Sequence, residues 1–359
     1  MNFNQFSKIR CDASKDDMAV KRPTWAVVAT VDEPPALVQA FVAWHLSLGA
    51  QAVFLYFDRP DDPAIRLFAH LPQVIAVSCD TAQWVHVGKS RPRRHQVRQV
   101  RNARDAYTQT RADWLVHIDA DEFIWPHQSV SDGLVSVDPN ADCLAVPVAE
   151  RIYVPNGAAK TVFDGAFRRP FRVPANVGRA IFGADYDLTY RGLTGHSQGK
   201  AFVRVGRPLK MSIHRPKRSE ADQEPTVAQG TVDQLELLHF EGLTRAYWVY
   251  KLLRMSHALL KHGGMLPSPH RQRQADAVLA DMTRAEALHD RLKICDDTRQ
   301  SLLRCHDLLL DVPFDLEDPL QTYFPGQSID LSPGTIDRWL ALEKSDVLQD
   351  LAGPGEDKI

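Results

Sequence analysis

The chain has 359 residues, 44% hydrophobic and 25% charged, with a formal net charge of −2 at pH 7. That is enough for one large domain with additions, or for two domains. The near-zero charge argues against bulk nucleic-acid binding, which needs a strongly basic face, and no segment approaches the ~20 apolar residues that cross a bilayer.

Residues 1–22 are polar and lack an apolar h-region, which predicts a loosely ordered segment without a secretory signal. Trp25 to Thr30 reads as a buried strand, and Asp32-Glu33-Pro34-Pro35 as a helix start. Leu37, Phe41 and Leu48 recur at helical spacing until Gly49 stops the helix. Strands follow at Ala52–Phe57 and Val74–Ser78, with a short helix over Pro63–Leu71 between them. Pro92 to Thr110 reads as a long helix, with Val97, Val100, Arg104 and Tyr107 marking one side and Arg94, Arg98 and Arg101 the other. This second side is expected to be solvated, the alternative being that it attracts a diphosphate or an acidic acceptor. A fourth strand, from Trp114, then runs into Asp119.

Strands alternating with helices predict a largely parallel α/β sheet with helices on both faces. Asp58, Asp80 and Asp119 close strands, and the carboxyl ends of parallel strands share one edge, so these acids should line one crevice. The segment Trp114-Leu115-Val116-His117-Ile118-Asp119-Ala120-Asp121-Glu122-Phe123 is the most telling, because an apolar run ends in clustered carboxylates. Ionised carboxylates are costly to desolvate, and at a strand end they can hold a divalent cation. Period-two alternation places Asp119 and Asp121 together and Glu122 opposite. Thr30-Val31-Asp32-Glu33 matches neither GxGxxG nor GxxxxGK[ST], which counts against Rossmann dehydrogenases and P-loop NTPases.

Residues 130–215 are rich in Gly and Pro with short apolar runs, including Lys200–Val205 and Met211–His214, and predict mixed strands and long loops. Arg215–Gly230 reads as a charged, mobile loop. Leu235–Phe240 is a further short strand and Thr244–Lys261 a helix. Cys11, Cys79, Cys143, Cys295 and Cys305 show no CxxC spacing and predict reduced thiols in a cytoplasmic protein.

The aspartate-terminated strands and the DxD-like element resemble the GT-A fold of nucleotide-sugar glycosyltransferases, and in particular bacterial family-2-like enzymes. The residues that carry the resemblance are Leu48-Gly49 through Tyr56, Asp58, Asp61 and Asp62; Asp113-Trp114-Leu115 to Asp119, Asp121, Glu122 and Phe123; Gly199-Lys200-Ala201-Phe202-Val203-Arg204; His214; and His239-Phe240, followed by an aromatic-rich helix containing Lys251. It covers about residues 24–262. It implies a GT-A-like domain over residues 23–262, with a nucleotide-binding half (23–126) and an acceptor- and metal-completing half (127–262), followed by a helical C-terminal extension (263–359).

The resemblance implies Mn2+ or Mg2+ held by Asp121, with Asp119 on the donor ribose or a metal-bound water and Glu122 behind them. His239 would complete the metal or diphosphate site, with His214 as its rival and His196 as a further neighbour. Asp58 would accept from a uracil-like base, with Thr30 and Glu33 lining that pocket and Asp80 as a second base contact. Lys200 and Arg204 would neutralise phosphate. An inverting reaction needs a general base, for which Glu150, Asp164, Asp185 and Glu241 are candidates, Glu150 and Asp164 first. Tyr247, Trp248 and Tyr250 read as helix core rather than a sugar platform.

The expected reaction is metal-dependent transfer from a nucleotide-sugar, by default a UDP-sugar, to a hydroxyl on a glycan or lipid-linked acceptor in surface polysaccharide synthesis. The alternatives are a sugar-phosphate nucleotidyltransferase and a non-catalytic nucleotide-sugar-binding module. No nucleic-acid partner and no transmembrane segment are expected, and any membrane contact would be peripheral.

Overall fold

The computed structural model describes residues 22–154, 159–220, 223–262 and 268–345, with side chains omitted for 258–262. Most of the 1–22 segment and the ends of the 263–359 extension lie outside these residues.

The first half contains β1 (Trp25–Val31), α1 (Pro35–Ser47), β2 (Ala52–Phe57), a 3-10 turn (Pro63–Phe68), β3 (Val74–Ser78), α2 (Thr81–Gly88), α3 (His95–Gln109) and β4 (Trp114–His117). Next come β5 (Glu122–Pro126), α4 (Val130–Val135), β6 (Cys143–Val146), β7 (Val148–Ile152), β8 (Ala166–Arg168), α5 (Ala175–Phe182), β9 (Lys200–Arg204), β10 (Leu209–Lys210), β11 (Lys217–Arg218), β12 (Val227–Gln229) and β13 (Leu235–His239). The remainder is α6 (Arg245–His262), α7 (Pro269–Ala280), α8 (Ala285–Lys293), α9 (Asp297–Cys305), β14 (Leu309–Leu310), α10 (Glu317–Tyr323) and α11 (Pro333–Glu343).

The central sheet has the order β12-β6-β9-β4-β1-β2-β3, and β9 is the antiparallel member between β4 and β6. A second sheet has the order β14-β8-β7-β13-β5. This is the mostly parallel, helix-flanked, GT-A-like architecture expected. The charged stretch at 215–230, expected to be a loop, carries β11 and β12, and β12 pairs with β6 at the sheet edge.

β1 is apolar at nearly every position because both of its faces are covered. Trp25, Val27, Ala29 and Val31 pack with Leu37 and Phe41 of α1. Ala26 and Val28 pack on the other side with Ala103 and Ala106 of α3. Gly49 ends α1 with φ +89°, a left-handed turn that favours glycine.

The C-terminal helices fold back onto this body. Leu316, Phe324, Leu331, Ile336 and Leu340 belong to the main core, and β14 pairs with β8. Trp248, Leu252 and Leu253 of α6 pack with Ala275 and Val278 of α7 and Leu288 and Leu292 of α8. Trp248 is fully buried, and truncating such a side chain to alanine costs about 3–5 kcal/mol. Tyr247 and Tyr250 are buried too, in the main core, as expected of an aromatic stripe on a helix. Among the described residues no helix is long and apolar enough to cross a membrane. Cys79, Cys143, Cys295 and Cys305 are free thiols.

Candidate active site

β4 ends at His117, and the acids follow in a turn that carries the chain from the central sheet into β5 of the second sheet. The Glu122 N–H donates to the Asp119 carbonyl at 3.0 Å, and the Asp119 N–H donates to Glu122 Oε2 at 2.8 Å. Because the backbone turns here, strand alternation does not apply. The expected Asp119–Asp121 pair is replaced by Asp119 with Glu122, while Asp121 faces another way.

Each side of the turn has its own lysine. Lys200 Nζ lies 2.9 Å from Asp119 Oδ2 and 3.1 Å from Glu122 Oε2. Burial works against both carboxylates, but the Lys200 charge outweighs it and holds both below their usual range. Lys251, from α6, lies 2.8 Å from Asp121 Oδ2 and 2.7 Å from Glu241 Oε2. Arg271, from α7, reaches Glu241 Oε1 at 2.9 Å. Burial opposes the charge on Glu241, and Lys251 and Arg271 still hold its pKa well below the usual value.

His239 sits at the centre of these acids because antiparallel β5–β13 pairing sets it opposite Glu122 and parallel β13–β7 pairing sets it beside Glu150. Its Nε2 is 3.2 Å from Glu241 Oε2 and 3.8 Å from Asp121 Oδ2. Burial disfavours the charged ring, but the Glu241 hydrogen bond and the nearby acids prevail, so its pKa is raised. The His196 ring stacks on His239 at 5.0 Å, and its Nε2 lies 3.3 Å from Glu122 Oε1.

Two groups of potential metal donors result: Asp121, His239 and Glu241, and Glu122, His196 and His239, the donor atoms in each lying within 4.8 Å of one another. The first group, with two carboxylates and an imidazole, is a donor set that suits Mn2+ and, less well, Mg2+. Glu122 Oε1 meets the His196 ring at 3.3 Å, and His239 Nδ1 is buried without a hydrogen-bond partner. The residues present fit a divalent ion.

His196 is carried by the 192–199 loop, and Glu150 holds that loop. Its carboxylate accepts from the Thr194 N–H at 3.0 Å, the Thr194 hydroxyl at 2.8 Å and the Gly195 N–H at 2.6 Å. It also pairs with Arg168 at 2.9 Å and Lys293 at 3.2 Å. Gly195 passes so close to the site that a Cβ would lie 3.2 Å from both Glu150 Oε2 and His239 Cε1. At Gly199 a Cβ would collide with the Val146 carbonyl, so glycine is required just before Lys200.

α3 supplies the other wall, and it does so with the arginine side expected to be solvated. Arg98 donates to Asp58 through Nε at 2.7 Å and Nη2 at 2.6 Å, and Asn102 donates to the Thr30 hydroxyl at 3.0 Å. Gln99 donates to Asp119. Val97, expected on the apolar side, is 39% exposed. α3 starts at His95 rather than Pro92, and Arg98 Nη1 donates to the carbonyls of Pro92 and Arg93 just before it. Arg94 is exposed, and Arg101 donates to the Ser90 carbonyl.

Several expected site residues stand elsewhere. Glu150 is fully buried with its oxygens engaged, so it has no access to an acceptor hydroxyl. Asp164 is exposed and accepts from Lys160 and Thr161 in its own turn. Asp80 caps α2, a helix that sequence reading missed, by accepting from the Gln83 N–H at 2.8 Å. Thr30 is tied into the α3 contact. Asp185 pairs with Arg291. His214 is in a bend rather than a strand, 4.8 Å from His196 and outside both donor groups.

Arg204 is displaced by strand direction. β9 runs antiparallel to β4, so Lys200 meets the carboxyl end of β4 and Arg204 pairs in register with Trp114 at its start, roughly 13 Å away by strand rise. There its guanidinium stacks 4.2 Å over Trp114. Glu33 accepts from the Asp32 N–H at 2.6 Å, and burial pushes its pKa up to about 7. Arg271 gave no signal in the sequence, because nothing local marks one arginine of α7 as the partner of Glu241.

No family model matches the chain. No curated protein matches it either. Among solved structures it is similar to HddC from Yersinia pseudotuberculosis, at 10% identity and TM-score 0.25, over 36% of this chain and 60% of HddC. It is also similar to residues 1–349 of TarS from S. aureus, at 11% identity and TM-score 0.31, over 91% of this chain and 90% of that one.

Proposed function

We propose that the chain is a glycosyltransferase that moves a sugar from a nucleotide-sugar donor, by default a UDP-sugar, to a hydroxyl on a glycan or lipid-linked acceptor. The observation that carries this reading is the convergence of Asp119, Asp121, Glu122, His239 and Glu241 with Lys200, Lys251 and Arg271 at the carboxyl edge of the parallel strands. Such an edge is where open α/β sheets bind nucleotides.

In this reading Asp121, His239 and Glu241 hold Mn2+ or Mg2+, which when bound acts as a Lewis acid on the leaving diphosphate. Asp119, oriented by Lys200 and Gln99 and 31% exposed at its side chain, turns its free lone pairs to the donor ribose. Arg271, on the other oxygen of Glu241, adds fixed positive charge where the leaving group becomes more negative. Gly195 lets the 192–199 loop pack closely against His239.

The test is release of nucleoside diphosphate from a panel of nucleotide-sugars, with and without Mn2+, by the full chain and by Asp121→Asn. Release that needs Asp121 supports the reading. Pyrophosphate release from a nucleoside triphosphate and a sugar phosphate would assign a nucleotidyltransferase instead. Donor binding without turnover, with acceptors supplied, would leave a binding module.

A further inference from the structure

The Asp121–His239–Glu241 group already contains a cation. Lys251 Nζ is hydrogen-bonded to Asp121 Oδ2 at 2.8 Å and to Glu241 Oε2 at 2.7 Å. Those same two oxygens face His239 Nε2. A divalent ion binds carboxylate oxygens at about 2.0–2.6 Å. An ammonium held on the same oxygens would stand within a few ångströms of that ion and compete with it for the same carboxylate charge and lone pairs.

Lys251 also has somewhere to go. Its side chain is 17% exposed, whereas Lys200 beside Asp119 is 1% exposed. Its departure does not strand Glu241, because Arg271 holds Oε1 at 2.9 Å. Lys200 bridges no two members of one donor group: Asp119 belongs to neither, and on Glu122 it holds Oε2, whereas Oε1 faces His196.

We propose that Lys251 is a resident cation that a divalent ion must displace from Asp121 and Glu241, so that this lysine sets the metal affinity of the site. The proposal rests on the metal-binding reading given above. It makes the metal-free site charge-compensated rather than an open acidic trap, and it favours divalent over monovalent ions, because only a doubly charged ion gains enough from both carboxylates to replace an ammonium already there.

The test uses the full chain titrated with MnCl2, with free Mn2+ followed by electron paramagnetic resonance. Lys251→Met should bind Mn2+ at least tenfold more tightly than the wild type, Lys251→Arg should stay within about threefold of it, and adding Asp121→Asn to Lys251→Met should abolish binding. Equal or weaker binding by Lys251→Met, with Asp121→Asn still abolishing it, overturns the competition but keeps the metal site. Absence of Mn2+ binding in every variant overturns both. Circular dichroism checks each fold, and Lys251→Gln replaces Lys251→Met should the latter unfold. A second readout separates displacement from a mere charge effect: acetylation of Lys251 in the wild type, mapped by mass spectrometry, should speed up several-fold when Mn2+ is added. An unchanged rate overturns displacement.

Discussion

Asp58 and Arg98 form a two-point ion pair, Nε to Oδ1 at 2.7 Å and Nη2 to Oδ2 at 2.6 Å, with Asp58 4% exposed. Burial alone would raise the Asp58 pKa, but Arg98, with help from His95 and Arg91, lowers it. Arg98→Met would leave a buried carboxylate without its main counter-charge, at a cost of about 3–5 kcal/mol. The sign with pH follows. In the wild type the folded pKa is below the unfolded one, so the stability from this pair is complete above about pH 4 and is lost as pH falls through the lower folded value. In Arg98→Met the folded pKa rises above the unfolded one, so its deficit against the wild type narrows as pH falls from 7 towards 4. Thermal melts of both chains across that range check this.

Glu150→Gln keeps the shape of the side chain and removes its charge. Lys293 and Arg168, both buried, lose their counter-ion, and a loss of about 3–5 kcal/mol is expected. The amides of Thr194 and Gly195 donate to Glu150, so their hydrogen exchange should accelerate more than that of β1. Exchange measured by mass spectrometry on the full chain reports this directly.

Lys200→Gln leaves Asp119 and Glu122 facing each other with less positive charge between them. Donor turnover should fall about 100- to 1,000-fold if the turn presents its acids as proposed. The fold should weaken as well, because Glu122 is fully buried. Turnover and melting temperature measured on one preparation separate the two effects.

Arg204→Ala is the contrasting case. It removes the stack on Trp114 and hydrogen bonds to the carbonyls of Val137, Asp138 and Ala141, which together contribute about 1–2 kcal/mol. Its position at the far edge predicts an unchanged KM for donor. A raised KM would return Arg204 to the phosphate-binding role that its motif suggested.

The strands were legible because their cause is local. β2 and β3 have the bounds read from their apolar runs; β2 is apolar because it is buried on both faces, while β3, at the sheet edge, is half-buried throughout. The acids after β4 were legible as a site because carboxylates closing a buried run are costly to desolvate unless cations or a ligand meet them there. Their pairing was not, since it depends on a turn that places Asp119 and Glu122 on Lys200, 81 residues from Asp119. Arg98 of α3 was misplaced for a similar reason. Arg98 looks solvated until its partner Asp58, 40 residues earlier, is brought under it. Arg204 and Lys200 share a motif, and only the antiparallel course of β9 sends them to opposite edges.

Lys344, just after α11, lies 2.7 Å from Asp32, and Arg59 joins Asp32, Asp62 and Glu343 at the mouth of the crevice. Trimming the chain after residue 262 to obtain a minimal catalytic fragment would therefore remove more than a tail. It would discard Arg271, Lys293 and Lys344, bare the apolar flank of α6 and unfasten the rim above β1. Expression work on this protein should keep residues 268–345 and place any fusion partner beyond them.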